Sequence, residues 1–217
     1  MKKTRILIAD DHKIVRAGVR ALVTSVADWE IVGEADNGRD AVALAEKLHP
    51  DVVILDFTMP GLNGLDATKQ IKKKLPQTEV LIFTGTESET LIHDVFASGA
   101  RSYIVKADQT DQLIEAIKAV ANHKHFFTSR IGEVVFARYM EGEKTRHQSD
   151  EKDRLSDRER EIVQLLAEGK SNKEVASILG ISVKTAETHR AAVMRKLGFK
   201  SFSDLVRYAI RNKMIEP

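Results

Sequence analysis

Short apolar runs alternate with amphipathic segments throughout the first 121 residues of the chain. The apolar runs occupy residues 5–9, 30–34, 52–55, 80–83 and 102–105. Between them, apolar residues recur at helical spacings of three and four, for example at Ile14, Ala17, Leu22 and Val26. Pro50 and Pro76 stand before the third and fourth runs, where we expect them to end the preceding helices. Five repeats of strand and helix predict an α/β domain, with five parallel strands covered by helices on both faces.

The strand pattern fades after residue 121, and residues 123–140 allow one further helix. Residues 141–154 contain no aliphatic or aromatic side chain and mix both charges, which is typical of an exposed linker. From Leu155 onward the periodicity predicts four short helices, near residues 157–168, 172–179, 183–197 and 203–212. Ser156, Asn172 and Ser182 are expected to cap the first three of them. A second, small all-α domain therefore follows the first.

Charge is distributed unevenly between these two halves, although the whole chain carries a net charge of only +2. Residues 1–121 have 15 Lys/Arg and 18 Asp/Glu, whereas residues 122–217 have 19 and 14. The basic second half favours a polyanionic partner. The chain has no cysteine, which excludes disulfides and thiolate chemistry. Because no apolar run approaches the roughly 20 residues of a membrane span, and the first is too short for a signal peptide, we expect a cytoplasmic protein with no membrane partner.

Side chains able to do chemistry follow the predicted strands at one edge of the sheet. Asp10 and Asp11 follow the first strand, Asp56 the third, Thr84 the fourth and Lys106 the fifth. The carboxyl ends of parallel strands are where open sheets bind ligands. Any one of these acids could simply cap a helix or solvate a strand end. Their convergence with a hydroxyl and an ammonium group favours a functional site.

Clustered carboxylates repel one another, and Mg²⁺ would offset that repulsion because it prefers carboxylate and phosphate oxygens. With the cation bound, Asp56 could attack phosphorus and form an acyl phosphate. Lys106 would balance the incoming charge, and Thr84 could donate a hydrogen bond to a phosphoryl oxygen.

In the second half, two short helices joined by a tight turn at Gly180 predict a helix-turn-helix. The helix after that turn has an apolar inner side and a small, polar and basic outer side, which suits the major groove of DNA. The residues that we predict to contact DNA are Lys173, Lys184, Thr185, Glu187, Thr188, Arg190, Ala191 and Arg195. Lys196 is a further candidate for a phosphate contact. A helical protein-binding domain with a solvated charged face is the alternative.

Four segments of the first half, IADDH, VVILDFTMPGLNG, VLIFTGT and GARSYIVKA, resemble the receiver domain of two-component response regulators. The resemblance covers residues 5–121 and implies a flavodoxin-like fold with Asp56 as the phosphoacceptor. It also implies a Mg²⁺ site formed by Asp10, Asp11, Asp56 and the backbone carbonyl of Thr58. Thr84 and Lys106 match the family's switch hydroxyl and lysine. Tyr103 matches its aromatic switch, which turns inward when the threonine meets phosphate.

In the second half, LSDREREIVQLLAEGKSNKEVASILGISVKT resembles the LuxR-type DNA-binding domain, and the resemblance extends over residues 154–215. A receiver followed by such a domain defines the NarL/FixJ class of response regulators. The resemblance implies that residues 183–196 form the recognition helix and that residues 203–212 help two such domains to pair. Glu187 departs from the family, because lysine is frequent there; it would repel phosphates but could accept a hydrogen bond from cytosine.

The expected protein is a transcription regulator with a receiver at residues 1–122, a linker at 123–153 and a DNA-binding domain at 154–217. A sensor histidine kinase would phosphorylate Asp56, altering surfaces near residues 87–98 and 108–121 and promoting a homodimer on double-stranded DNA. We do not expect this protein to be an enzyme. Two alternatives stay open: a phosphatase with an aspartyl nucleophile, although Thr58 stands where many such enzymes have a second acid, and a regulator driven by protein contact.

Overall fold

A computed structural model of the chain describes residues 3–85, 89–107, 110–129, 131–133 and 155–215. These residues form two compact units, one built on a sheet and one made of the C-terminal helices. The predicted linker from residue 134 onward, and parts of the two predicted switch surfaces, lie outside the described residues.

The first unit contains a sheet of six parallel strands in the order β2-β1-β3-β4-β5-β6. The strands are β1 Thr4–Ala9, β2 Trp29–Ala35, β3 Val52–Leu55, β4 Glu79–Thr84, β5 Ser102–Val105 and β6 Phe126–Phe127. All four residues of β3 are buried, because this strand lies between β1 and β4 and is covered on both faces. The predicted parallel α/β sheet is thereby confirmed.

Five helices connect the strands: α1 Lys13–Thr24, α2 Gly38–Leu48, α3 Gly64–Lys74, α4 Glu89–Ala97 and α5 Thr110–Ala121. Asn37 and Asn63 cap α2 and α3, since each side chain accepts a hydrogen bond from a backbone N–H three residues later. One core cluster joins α1 and α5 to the sheet and includes Ile8, Val19, Ile54, Leu81 and Ile117. These contacts fix the strand ends at which the predicted site lies.

The sixth strand corrects the predicted sheet of five. It lies in residues 123–140, for which the pattern allowed a helix, and pairs Phe126 with Ser102 and Phe127 with Tyr103. A two-residue strand is too short for its periodicity to show in the sequence. His123, whose φ is 58°, turns the chain back after α5. The sheet therefore continues past residue 122, where we predicted the receiver to end; helical residues resume at Ser129.

The second unit consists of α6 Asp157–Ala167, α7 Asn172–Leu179, α8 Val183–Lys196 and α9 Phe202–Arg211. Its core contains residues from all four helices, among them Ile162, Val175, Val193 and Leu205. The described helices match the predicted bounds within a residue or so, because each begins at a strong capping residue.

One predicted cap is wrong. The N-cap of α7 is Ser171, and Asn172 is the first helical residue. Ser171 accepts a hydrogen bond from the Glu174 backbone N–H, and the Glu174 carboxylate accepts one in return from the Ser171 N–H at 2.8 Å. This reciprocal pairing satisfies two backbone donors, which Asn172 as the cap could not achieve with Val175 in the third position. Ser156 and Ser182 cap α6 and α8, as predicted.

Candidate phosphoacceptor pocket and nucleic-acid interface

The pocket lies at the carboxyl edge of the sheet, where β1, β3, β4 and β5 end. Asp10 and Asp56 directly follow β1 and β3, and their backbones are tied together because the Asp56 N–H donates to the Ala9 carbonyl at 2.8 Å. Asp10 is 2% exposed and Asp56 is 4% exposed. Two carboxylates of distant sequence position are therefore held side by side in a poorly solvated site.

Lys106 bridges these two carboxylates. Its Nζ lies 2.7 Å from Asp56 Oδ2 and 2.8 Å from Asp10 Oδ2. Burial alone would lower the pKa of Lys106, but the hydrogen bonds and charges of Asp10 and Asp56 outweigh it and raise the pKa. The lysine is therefore a fixed ammonium that offsets the repulsion between the acids.

Asp56 remains harder to ionise than an ordinary aspartate. Burial raises its pKa from 3.8 to about 6, even though the hydrogen bond and charge of Lys106 act in the opposite direction. The other carboxylate oxygen, Oδ1, accepts a hydrogen bond from the Phe57 N–H at 2.7 Å. Near neutral pH the group is mostly a carboxylate with both oxygens oriented, which is the state that a nucleophile requires.

Asp11 and His12 complete the acidic edge on the solvent side. One ligand atom from each of Asp10, Asp11, His12 and Asp56 lies within 4.8 Å of the others. His12 Nδ1 is 2.7 Å from Asp11 Oδ1. Three carboxylates at this spacing fit a hard divalent cation such as Mg²⁺, which takes oxygen ligands and keeps several waters. The carboxylates of Asp10, Asp11 and Asp56 therefore lie close enough to share one cation, while the Mg²⁺ site with its Thr58 carbonyl stays a prediction.

The predicted switch residues lie around the same edge. Thr84 is the last residue of β4 and is 1% exposed, and its carbonyl accepts a hydrogen bond from the Lys106 N–H at 2.7 Å. Tyr103, the second residue of β5, is fully buried. Thr58 follows Asp56 by two residues and is half-buried in the loop before α3. No cis peptide occurs among the described residues, including the Lys106–Ala107 bond.

Two residues that support the pocket were missed by sequence reasoning. A Cβ on Gly64 would lie 2.2 Å from the Asp56 carbonyl oxygen, so only glycine lets the loop close onto Asp56. Arg16, on α1, donates a hydrogen bond to the Asp10 carbonyl. Its spacing from Asp10 carries no recognisable motif, so nothing in the sequence could have revealed it.

In the second unit, α8 presents two distinct sides. Ala186 is 1% exposed and Val193 is fully buried, and both face the core. The predicted DNA-contacting residues that are exposed on α8 are Lys184, Thr185, Glu187, Thr188, Ala191 and Arg195. Lys173, on α7, is exposed as well. The predicted division of this helix into a buried side and a polar, basic side is thus present in the structure.

Two basic residues of α8 have intramolecular partners. The Arg190 guanidinium lies 5.7 Å from the centre of the Phe202 ring, within the range of a cation–π contact. Lys196 Nζ lies 2.9 Å from Glu159 Oε2, where it ties the end of α8 to the capping box of α6. Lys196 therefore has a structural partner that the sequence pattern did not reveal.

Within the described residues, no helix is both long enough and apolar enough to cross a lipid bilayer.

Comparisons with known proteins agree with both units. The response regulator receiver domain matches residues 6–118, and the family of bacterial regulatory proteins of the luxR type matches residues 153–209. The chain is 37% identical over 216 residues to the oxygen regulatory protein NreC of Staphylococcus epidermidis, covering 98% of this chain and 99% of that protein. It is 34% identical over 214 residues to the transcriptional regulatory protein LiaR of Bacillus subtilis, covering 97% and 99%.

A solved structure of similar organisation is RcsB from Salmonella enterica serovar Typhimurium, bound to promoter P1flhDC in the presence of the phosphomimetic BeF3⁻. It is 26% identical, covers 95% of this chain and 98% of its own, and has a TM-score of 0.60. With the acidic strand edge and the helix-turn-helix in place, these matches show that the chain belongs to the DNA-binding response regulators of two-component systems, in the NarL/FixJ class.

Proposed function

We propose that this response regulator is switched by phosphorylation of Asp56, which a sensor histidine kinase carries out. The observation that carries the proposal is the buried Asp56 carboxylate, oriented by Lys106 at 2.7 Å and by the Phe57 N–H at 2.7 Å. The phosphorylated form pairs as a homodimer and binds double-stranded DNA through α8. We assign the receiver to residues 1–122 together with strand β6, the linker to the rest of residues 123–153, and the DNA-binding domain to residues 154–217.

The phosphoryl group passes from an imidazole nitrogen of the kinase to an oxygen of Asp56. The phosphorus–nitrogen bond breaks as the phosphorus–oxygen bond forms, and the departing imidazole takes up a proton. Asp10, Asp11, Asp56 and the Thr58 carbonyl would hold Mg²⁺, which, when bound, supplies positive charge for the phosphoryl oxygens. Lys106, whose Nζ lies 2.7 Å from Asp56 Oδ2, supplies a second positive charge, and Thr84 donates a hydrogen bond to a phosphoryl oxygen.

Thr84 and Tyr103 transmit the change. Movement of Thr84 toward the phosphoryl group draws on the end of β4, and Tyr103 lies on the neighbouring strand in register with Ile82. Phosphate need only favour one of two arrangements of these strands and of α4. Since Tyr103 is already buried, the larger part of the change is expected in α4.

The exposed side of α8 reads DNA. The residues that contact phosphates are Lys173 on α7 and Lys184, Arg190 and Arg195 on α8. The residues that face base edges are Thr185, Glu187, Thr188 and Ala191. The Phe202 ring holds Arg190 and limits its freedom before DNA binds. The protein acts in the cytoplasm and has no turnover of its own, because Thr58 stands where an aspartyl phosphatase needs a general acid.

The test measures intact mass after incubation with acetyl phosphate and Mg²⁺. We expect a labile gain of roughly 80 Da, one phosphoryl group, in the unmodified chain. Asp56→Asn should show none, whereas Asp36→Asn, an exposed carboxylate after β2, should gain the mass normally.

A mass gain that persists in Asp56→Asn would move the phosphoacceptor to another residue. Turnover of a generic phosphate ester by the unmodified chain would favour the phosphatase instead. If DNA binding responds to its stimulus equally well in Asp56→Asn, regulation by protein contact replaces the phosphate switch.

A further inference from the structure

Strand β6 covers the edge of β5 that a five-stranded receiver would leave open. Its two residues lie in the segment by which the chain leaves the sheet toward the C-terminal helices. The Ser102 hydroxyl donates a hydrogen bond to the Phe126 carbonyl at 3.0 Å, and the Phe126 N–H donates to the Arg101 carbonyl at 3.4 Å. The segment that leads to the second unit is therefore part of the sheet next to a predicted switch strand.

The two phenylalanines of β6 bridge both faces of the sheet, since successive residues of a strand point to opposite faces. Phe126 packs against the core cluster that contains α5. Phe127 packs on the other side, with its ring centre 5.0 Å from that of Phe96 on α4, in an edge-to-face arrangement. Phe127 is also the register partner of Tyr103, so the two side chains share this face.

Anchors on either side hold the strand in place. His123 Nδ1 lies 2.8 Å from Glu79 Oε1, and His125 Nδ1 lies 3.3 Å from the Arg101 carbonyl oxygen. Within the segment, the His125 ring stacks on Phe127 with centres 5.9 Å apart. Glu79 is only 2% exposed and also receives Arg101 Nε at 2.9 Å. After the strand, Ile131 is 1% exposed, so the segment remains packed beyond residue 127.

The attachment of β6 to the sheet and to α4 is nevertheless weak enough for phosphorylation to change it. Only two residues pair, and one backbone hydrogen bond is long at 3.4 Å. Among the described aromatic contacts, α4 meets the segment through the Phe96 ring, whose centre lies 5.0 Å from that of Phe127 and 6.4 Å from that of His125. An aromatic pair contributes about 0.5–1.5 kcal/mol beyond its buried area. A shift of α4 that separates Phe96 from Phe127 would therefore change the population of the docked strand about two- to tenfold.

We propose that Phe127 is a positioning residue that couples α4 and β5 to the interdomain segment, so that phosphorylation at Asp56 loosens β6 from the sheet. The proposal rests on the proposed function of Asp56 and specifies its output. Thr84 moves toward the phosphoryl group, α4 shifts with the end of β4, Phe96 leaves Phe127, and the strand loses one of its two faces.

The experiment is hydrogen–deuterium exchange, read by mass spectrometry, on the full chain with Mg²⁺ and with or without beryllofluoride as the phosphoryl analogue. We expect peptides containing residues 56–64 to become protected, which reports that the analogue occupies the pocket. Peptides containing residues 124–129 should exchange about two- to tenfold faster with the analogue than without it.

Phe127→Ala should exchange rapidly in residues 124–129 even without the analogue, and beryllofluoride should add little. Its pocket peptides should still become protected, which a general loss of structure would prevent. Phe127→Leu keeps an apolar side chain but has no ring. The exchange rate of its residues 124–129 should therefore be intermediate between those of Phe127→Ala and of the unmodified chain. Lys124→Ala, an exposed position of the same segment, should behave as the unmodified chain.

The outcomes separate the two proposals. Protection of residues 56–64 with unchanged exchange in residues 124–129 would overturn the coupling and leave the phosphoacceptor intact. Absence of protection at the pocket would overturn the phosphoacceptor and the coupling together. A third outcome concerns Phe127→Ala. If beryllofluoride accelerates exchange in residues 124–129 of this variant by the same factor as in the unmodified chain, Phe127 takes no part in the coupling.

Discussion

The acidic pocket and α8, the helix that we propose to contact DNA, are built in opposite ways. Asp10, Asp56, Thr84 and Lys106 come from four strand ends spread over 97 positions of the sequence, and the first three are almost entirely buried. The exposed residues of α8 lie within a single helix, Val183–Lys196, and reach solvent. The pocket depends on the assembly of the whole sheet, whereas the exposed face of α8 depends on one helix that three other helices hold in place.

This difference predicts how each site fails. In the pocket, burial raises the pKa of Asp56 and places two carboxylates on one ammonium, so a single substitution changes charge, packing and chemistry together. On α8, the side chains that we propose to contact DNA are solvated, and each would contribute a separate and modest contact. The pocket should therefore show large, coupled effects, whereas the helix should show small, nearly additive ones.

The largest expected effect is that of Gly64→Ala, because the added Cβ would lie 2.2 Å from the Asp56 carbonyl oxygen. The loop must open to admit it, and we expect a loss of about 3–4 kcal/mol in the free energy of unfolding. Urea denaturation measures the change. Gly85→Ala is the control, since a Cβ at that position meets no atom within 4 Å. Equal stability of the two variants would show that the loop adjusts freely.

The next effect concerns the charge of Asp56. Its pKa is 3.8 in an ordinary aspartate and about 6 here, so the folded state binds the proton more tightly than the unfolded state. Ionisation of Asp56 therefore lowers the free energy of unfolding as pH rises from about 4 to about 6. Above that range the loss is constant at about 3 kcal/mol. Asp56→Asn, measured with a metal chelator present, should be more stable by about 2–3 kcal/mol at pH 8 and by almost nothing at pH 4. A stability difference that does not depend on pH would contradict the assigned pKa.

A smaller effect is expected for one cation of α8. Lys184→Ala should weaken binding to any duplex about tenfold at low salt and lower the slope of log affinity against log salt by about 1. Titration of labelled DNA at several salt concentrations measures both quantities. Lys47→Ala, exposed on α2, should change neither. A loss confined to one DNA sequence would instead assign Lys184 to a base edge.

The smallest effect distinguishes two adjacent residues at the start of α7. Ser171 accepts the Glu174 N–H and closes a capping box, so Ser171→Ala should cost about 1 kcal/mol of unfolding free energy. Asn172→Ala should cost much less, because Asn172 is inside the helix. Thermal denaturation of the two variants gives the comparison, and a larger cost at Asn172 would restore the cap that the sequence suggested.

Much of the fold could be predicted because its elements leave periodic traces. The run VVIL of β3 and the alternation of strand and helix predicted the parallel sheet. The predicted capping residues Ser156 and Ser182 stand at the starts of α6 and α8. Strand β6 could not be predicted, since Phe126 and Phe127 give no period. The support of Asp10 by Arg16 was equally hidden, because a hydrogen bond to a backbone carbonyl imposes no motif.

The sequence by itself determined which chemistry the chain holds: three aspartates, a threonine and a lysine at strand ends, and a basic helix after a tight turn. Local pattern suffices for that, because hydrophobic period and capping are properties of neighbouring residues. Only the tertiary structure decided that Lys106 bridges Asp10 and Asp56, that Asp56 titrates near 6, and that β6 joins the sheet. Distances and burial depend on residues far apart in the chain, which meet only when the sheet is assembled.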